Sequence, residues 1–247
     1  MPIACVLLTA FILATLTVCG NGQAQTTADP LERVAIIGDS MSTGYGVMPG
    51  NGYHQLLGSD FNNRGWDVET FAVNGATPLR HQVCPATPEV KGCSEEGRAS
   101  EYIGLPDHLR EYQPTTVLVV LGGNDLLINR PANTYADDMR DLSDDIRVLA
   151  PDARIIFVLY YDVTQFNVPR YEPGTVCDIA GQCDSYQELA SWAAYRTELK
   201  ERAAYIDVPV IDLSGAGFNR SHVGEDLVHL NVAGHDFFYR TLSANLR

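Results

Sequence analysis

Three side chains of this sequence have types and spacing that could perform nucleophilic catalysis. Ser40 lies in the stretch VAIIGDSMSTGYG, where an apolar run ends in Gly-Asp-Ser and small residues follow. A serine hydroxyl attacks a carbonyl carbon efficiently only when a base removes its proton. His229 is the candidate base, because Asp226 precedes it by three residues and could orient its ring. The combination predicts acyl transfer, with Glu225 as the alternative carboxylate.

Two further residues could stabilise the negative charge that acyl transfer places on the substrate oxygen. Asn124, in the stretch VLGGNDLL, could donate its side-chain amide to that oxyanion. Gly75, in FAVNGAT, could offer a backbone N–H without interference from a side chain. Each candidate also has a structural alternative: serine is favoured at helix N-caps, and glycine and asparagine are favoured in turns.

The loop SMSTGYG after the Gly-Asp pair also fits a second class of function. Its hydroxyls and backbone amides could hold the phosphate of a nucleotide or a flavin, as in a flavodoxin-like binding protein. That hypothesis explains the loop but gives no role to Asn124 or to the Asp226–His229 pair. The ester-cleaving hypothesis uses all of them.

The segments that must position these residues alternate between apolar runs and helical patterns. Strands are predicted at 33–38, 66–73, 115–123, 153–161 and 208–213, and helices at 53–65, 136–150, 185–205 and 231–246. Such alternation is typical of a parallel sheet, and ligands bind at the carboxyl edge of such a sheet. Two long connections, 79–104 and 162–185, are expected to be loop-like and to follow strands toward that same edge.

The beginning of the chain is typical of an exported protein. Residues 3–18 are apolar or small and carry no charge, which predicts a signal peptide over 1–24 and a short extension over 25–32. A single folded domain over 33–247 would follow. Lipid attachment at Cys19 is the alternative to simple cleavage. The expected location is therefore secreted or periplasmic.

Cysteine usage and charge narrow the function classes further. Short loops favour the pairs Cys84–Cys93 and Cys177–Cys183, with four free thiols as the alternative. No Cys-x-x-Cys sequence occurs, so no metal site is predicted, and no cofactor is expected. The net charge of −14 argues against binding to nucleic acid or to anionic membranes.

Taken in order, the four motifs resemble those of the SGNH hydrolases, also called the GDSL esterase/lipase family. The resemblance extends from about residue 34 to the C-terminus. It implies a flavodoxin-like three-layer α/β/α fold with a five-stranded parallel sheet in the order 2-1-3-4-5. It also implies metal-free ester hydrolysis, with Ser40 as nucleophile, His229 as base and Asp226 as the orienting carboxylate. The N–H groups of Ser40 and Gly75 and the Asn124 amide would form the oxyanion hole.

One departure from the family pattern concerns the residue after His229. Many members have proline there, and this chain has Leu230, so the backbone is expected to be less constrained. The function implied is a secreted serine esterase for small or water-soluble esters, of carboxylesterase or arylesterase type. The alternatives are a carbohydrate acetylesterase, a lysophospholipase, a thioesterase, or a relative that binds glycans without cleaving them. The expected partner is a small-molecule or glycan ester; no membrane span is expected in the mature protein, and the oligomeric state is not predicted.

Overall fold

Five apolar runs of the sequence form one parallel sheet in the described part of the chain. Its strands are β1 (Arg33–Gly38), β2 (Asp67–Ala72), β3 (Thr116–Val120), β4 (Arg154–Leu159) and β7 (Val210–Asp212). Their order is β2-β1-β3-β4-β7, and every neighbouring pair is parallel. This is the predicted strand order, and the predicted fold class is confirmed.

The computed structural model describes residues 32–78, 105–166, 175–177, 183–185, 191–214 and 217–246. All of them belong to one compact unit, Leu31–Arg247. The predicted signal peptide, residues 25–31 of the predicted extension, Cys84 and Cys93 lie outside the described residues. Export, cleavage and the Cys84–Cys93 pairing therefore remain predictions.

The core of the domain lies around the three central strands. Every residue of β3 is buried, and so are all but the first residue of β1 and of β4. Strands covered by helices on both faces read as continuous apolar runs, which is why the sequence made these strands easy to recognise. The edge strand β2 instead begins with exposed and half-buried residues and becomes buried only at Phe71 and Ala72.

The helices connect the strands and pack in two groups. They are α1 (Ser40–Thr43), α2 (Tyr53–Asn62), α3 (Leu105–Tyr112), α4 (Gly123–Leu127), α5 (Ala132–Leu149), α6 (Trp192–Tyr205) and α7 (Val232–Asn245). Helix α2 contacts α7, whereas α5 contacts α3 and α6. With the sheet as the third layer, these two groups give the α/β/α arrangement that the family resemblance implied.

The connection predicted as a loop over 162–185 contains secondary structure. Strands β5 (Thr175–Cys177) and β6 (Cys183–Ser185) form an antiparallel hairpin. The helix predicted from Ser185 onward is therefore wrong at its start: Ser185 ends β6, and α6 begins at Trp192. The Ser-Tyr-Gln-Glu sequence resembles a helix-capping signal, but the backbone of Ser185 pairs with that of Thr175 instead.

Candidate active site

The serine singled out in the sequence lies at the junction between β1 and α1. Asp39 is the N-cap of α1, and its carboxylate accepts the N–H of Met41 at 2.9 Å. Ser40 is the first helical residue, so its hydroxyl is not used as the cap. Gly38 permits the tight turn, because a Cβ there would lie 2.0 Å from Ser42 Oγ. The local sequence therefore leaves the Ser40 side chain available for other contacts.

Helix α1 is only four residues long, and neighbouring elements hold it in place. The hydroxyls of Ser42 and Tyr53 share a buried hydrogen bond of 2.5 Å. The N–H of Tyr53 in turn donates to Nδ1 of His235 in α7, at 3.2 Å. Burial lowers the pKa of His235 to about 4, so its ring is neutral and can accept this bond at ordinary pH. A buried chain of contacts thus links α7 through α2 to α1 at Ser42, in the helix that begins with Ser40.

The histidine and aspartate lie on the loop before α7, and they meet the serine directly. Nε2 of His229 is 2.9 Å from Oγ of Ser40, and Nδ1 of His229 is 2.6 Å from Oδ2 of Asp226. The other carboxylate oxygen of Asp226 accepts the N–H groups of Val228 and His229. Partial burial acts to raise the pKa of Asp226, but these hydrogen bonds outweigh burial and lower it. Asp226 is therefore a carboxylate at neutral pH.

The loop that holds this pair has an unusual backbone. Leu227 has a φ of 66°, in the left-handed region that bulky residues rarely adopt. Three interactions stabilise the turn: Tyr161 OH donates to the carbonyl of Val228, the Gly224 N–H donates to the carbonyl of His229, and Val223 pairs with Leu230. Leu230 is buried, so this bridge and its packing hold the backbone at the position where a proline would otherwise fix it.

The geometry can move a proton from Ser40 toward the imidazole. With Nδ1–H donated to the carboxylate of Asp226, Nε2 carries the lone pair that faces Oγ of Ser40. An imidazole in this tautomer is a general base for the hydroxyl and becomes a general acid once protonated. Glu225, the alternative carboxylate, is exposed, and the hydrogen bond to Nδ1 comes from Asp226.

Asn124 lies between the serine helix and the glycine loop. Its Nδ2 donates to Asp39 Oδ2 at 3.2 Å and to the carbonyl oxygen of Ala76 at 2.9 Å. Both amide hydrogens are therefore engaged in this structure. Asn124 must share or exchange one of these bonds before it can donate to a substrate oxygen. Asp39 thus both caps α1 and orients Asn124.

Gly75 lies in the turn next to Ala76, with a φ of 76° and open space around the position of a Cβ. Asn74 accepts a hydrogen bond from Thr43 Oγ1 at 2.8 Å, which ties this turn to α1. No protein acceptor among the described residues takes the N–H of Gly75 or that of Ser40. The N–H of Ser40 itself and the N–H of Gly75, in the turn tied to α1, are therefore available as donors, as an oxyanion hole requires.

Asp39 brings a buried carboxyl group to the foot of this site. Burial raises its pKa to about 7, although the hydrogen bond from Met41 N–H acts in the opposite direction. Asp39 as a whole is 2% exposed. The protonation state of Asp39 consequently depends on the two groups that donate to its carboxyl oxygens, the Met41 N–H and the Asn124 amide.

The phosphate-binding alternative fits this geometry poorly. The Ser42 hydroxyl is hydrogen-bonded to Tyr53, and the Thr43 hydroxyl is hydrogen-bonded to Asn74 and to the carbonyl of Ser40. These hydroxyls are therefore already engaged within the protein.

Within the described ranges, no group of three or more His, Cys, Asp or Glu residues could hold a metal ion. Across those same ranges, no helix is both long enough and apolar enough to cross a membrane.

Tyr45 is a residue of the site that sequence reasoning missed. Its ring lies against the ring of His229, with 4.3 Å between centroids. The only signal in the sequence was its position five residues after Ser40. That spacing does not show that the loop after α1 folds against a histidine near the C-terminus.

Comparison with known protein families gives one match that covers most of the chain. The model of the GDSL-like Lipase/Acylhydrolase family matches residues 36–237. This range contains Ser40, Gly75, Asn124, Asp226 and His229. No curated protein matches the chain's sequence.

Several solved structures share the fold. TesA has a TM-score of 0.60 at 16% identity, over 87% of this chain and 98% of its own. A family 3 carbohydrate esterase from Clostridium thermocellum has a TM-score of 0.61 at 16% identity, over 87% and 94%. The psychrotrophic esterase EstA from Pseudoalteromonas sp., solved with monoethylphosphonate as inhibitor, has a TM-score of 0.59 at 14% identity, over 87% and 96%. At such low identity these likenesses establish the fold alone.

Proposed function

The chain belongs to the GDSL-like lipase/acylhydrolase family and is an ester-hydrolysing serine hydrolase, and from this premise we propose that it is a secreted esterase for small or water-soluble acyl esters. The observation that carries the assignment of roles is the pair of hydrogen bonds joining Ser40, His229 and Asp226, at 2.9 and 2.6 Å. Ser40 is the proposed nucleophile, His229 the base and acid, and Asp226 the carboxylate that orients the ring.

The proposed reaction proceeds in two halves. Ser40 Oγ attacks the ester carbonyl carbon while His229 Nε2 takes its proton, and a tetrahedral oxyanion forms. The imidazolium then protonates the leaving alcohol, the bond between carbonyl carbon and alcohol oxygen breaks, and an acyl-enzyme remains. Water attacks this acyl group in the same way, and Ser40 regains its proton as the acid leaves.

The N–H groups of Ser40 and Gly75 and the amide of Asn124 are the proposed donors to the oxyanion. The two backbone donors are free among the described residues, whereas Asn124 must release or share its bond to Ala76. Shifting that bond from a neutral carbonyl to an oxyanion is favourable, because hydrogen bonds to ionised acceptors are about twice as strong. Asn124 would then contribute more in the transition state than in the resting enzyme.

Replacing Asn124 with alanine is expected to lower kcat by about 10²-fold to 10³-fold, with a smaller effect on KM, because the lost bond matters mainly in the transition state. Steady-state kinetics on a soluble p-nitrophenyl ester measure this effect. Asn129→Ala serves as a control, since Asn129 is a second buried asparagine that lies beyond the end of α4. Equal kcat in Asn124→Ala and wild type would remove Asn124 from the oxyanion hole.

The choice of ester rests on the charge of the chain. The acidic net charge of −14 disfavours binding to anionic lipid surfaces. A promiscuous carboxylesterase or arylesterase is therefore the first proposal. The likeness to the family 3 carbohydrate esterase supports a carbohydrate acetylesterase as the second. Lysophospholipase and thioesterase activity remain alternatives within the family.

The hairpin of β5 and β6 supports the export proposal. Its register sets Cys177 opposite Cys183. Residues directly opposite in an antiparallel pair have Cα atoms about 4.5–5.5 Å apart, which lies within the range that a disulfide requires. A Cys177–Cys183 bond would pin this hairpin in an oxidising compartment, and it remains a prediction.

Hydrolysis of p-nitrophenyl esters from acetyl upward tests the proposed function. We expect turnover to be highest on short acyl chains and to stop when the protein is treated with a p-nitrophenyl alkylphosphonate, because Ser40 Oγ bonds to phosphorus as p-nitrophenolate leaves. Peptide mapping should then find the phosphonate on Ser40 and not on Ser42, its buried neighbour. A folded wild-type protein that cleaves no ester and takes up no phosphonate would overturn the proposal.

A further inference from the structure

An exposed aromatic ring lies beside the proposed base. The ring of Tyr45 packs against that of His229 with centroids 4.3 Å apart and planes tilted by 44°. Tyr45 is nevertheless 51% exposed, so the imidazole covers only part of its surface. The backbone approaches closely at Gly46 as well, where a Cβ would be 3.9 Å from His229 Cβ. The Tyr45 ring therefore borders the site and presents free apolar area to whatever binds there.

The proposed mechanism determines which part of the substrate meets this ring. The leaving oxygen must lie next to Nε2 of His229, because that nitrogen supplies its proton. The oxyanion donors at Gly75 and Asn124 instead face the carbonyl oxygen. The body of the leaving alcohol consequently extends past the imidazole, whose ring contacts that of Tyr45.

Resting on the proposed function, we infer that Tyr45 is the surface on which the leaving alcohol packs, and that the enzyme favours alcohols built on a ring with an apolar face. Phenols and sugars both have such a face. Aromatic rings bind other rings in offset or edge-on arrangements, and a tilted, half-exposed tyrosine leaves area for this contact. Met48, three residues further along the chain, is 73% exposed as well.

Tyr45 also has a contribution that does not depend on the leaving group. His229 becomes a cation in each proton transfer, and a cation beside an aromatic ring is stabilised. Removing the ring should therefore lower the rate of hydrolysis of every ester. The specificity inference concerns only the additional loss on esters of ring alcohols.

The test compares Tyr45→Ala with wild type on phenyl acetate, methyl acetate and a sugar acetate. Intrinsic reactivity cancels, because each substrate is compared with itself in the two proteins. We expect the loss of kcat/KM on phenyl acetate to exceed that on methyl acetate by about threefold to tenfold, as one ring contact is worth. The loss of kcat/KM on the sugar acetate is compared with the loss on methyl acetate in the same way. A larger loss on the sugar acetate shows that carbohydrate leaving groups also pack on Tyr45, and an equal loss shows that only aryl groups do. Tyr45→Phe keeps the ring and should retain the wild-type ratios.

Two controls assign the effect to the leaving group and to this position. Phenyl butyrate shares its alcohol with phenyl acetate, so Tyr45→Ala should impair both esters equally. Tyr205→Ala removes a tyrosine that is 84% exposed at the end of α6 and should change no ratio. Equal losses on phenyl and methyl acetate would overturn the inference and leave Tyr45 with a role in holding His229. If wild type cleaves none of these esters and takes up no phosphonate, the proposed function fails, and the inference fails with it.

Discussion

Ser40→Ala is expected to lower kcat/KM for ester hydrolysis by about 10⁴-fold to 10⁶-fold. The Ser40 hydroxyl lies 2.9 Å from His229 Nε2, and under the proposed mechanism no acyl-enzyme forms without it. The fold should be retained, because the cap of α1 is Asp39 and alanine is well tolerated inside a helix. The measurement is the initial rate on p-nitrophenyl acetate, with thermal melting of the same preparation as the check on folding.

Ser191→Ala provides the matched control for that variant. Ser191 is an exposed serine at the start of α6, and its side chain makes no capping hydrogen bond. It should retain the wild-type rate. If folded Ser40→Ala protein also retained that rate, hydrolysis would have to proceed without Ser40, and the proposed mechanism would be wrong.

The sheet could be predicted from the sequence because its central strands are buried on both faces. Runs such as those of β3 and β4 leave little ambiguity, and sequential strands joined by helices imply parallel pairing. The residues at which strands and helices begin and end were predicted less accurately. The strand predicted over 115–123 ends at Val120, since Gly122 has a φ of 121° and α4 starts at Gly123. A hairpin of three-residue strands is too short to give a periodic signal.

The members of the site could be predicted for a different reason. Reactive side chains at the ends of strands must converge on one edge of a parallel sheet, so Ser40 and Asn124 had to be neighbours. The Asp-x-x-His spacing further indicated that Asp226 and His229 would contact each other. The structure brings all of these residues together. Their roles in catalysis remain predictions until they are tested by substitution.

The hydrogen bonds and packing that hold these residues in place could not be predicted, because they are tertiary contacts between distant segments. Nothing local indicates that Leu227 adopts a left-handed backbone, since leucine disfavours it. The Asn124 amide donates two hydrogen bonds, to Asp39 and to Ala76, and these acceptors lie on two other segments of the chain. The expectation that Leu230 leaves the loop loose overlooked its bridge to Val223. Such contacts follow from the folded chain and not from spacing.

Asp226→Asn is expected to lower kcat by about 10³-fold to 10⁴-fold, through the tautomer of His229. The asparagine oxygen can still accept the N–H groups of Val228 and His229, so the turn should keep its shape. Its NH₂ group would then face Nδ1, which disfavours the Nδ1–H tautomer. The proton moves to Nε2, the atom that must take the proton of Ser40, and the base is lost.

Glu225→Gln is the matched control, because it removes one negative charge from the adjacent, exposed residue. It should change kcat little, whereas His229→Ala should be at least as damaging as Asp226→Asn. Kinetics of the three variants on one p-nitrophenyl ester separate the contribution of orientation from that of charge. If Glu225→Gln and Asp226→Asn lost activity equally, the local negative charge would matter more than the hydrogen bond. If only Glu225→Gln lost activity, the orienting carboxylate would be Glu225, and the 2.6 Å contact from Asp226 would have a structural role alone.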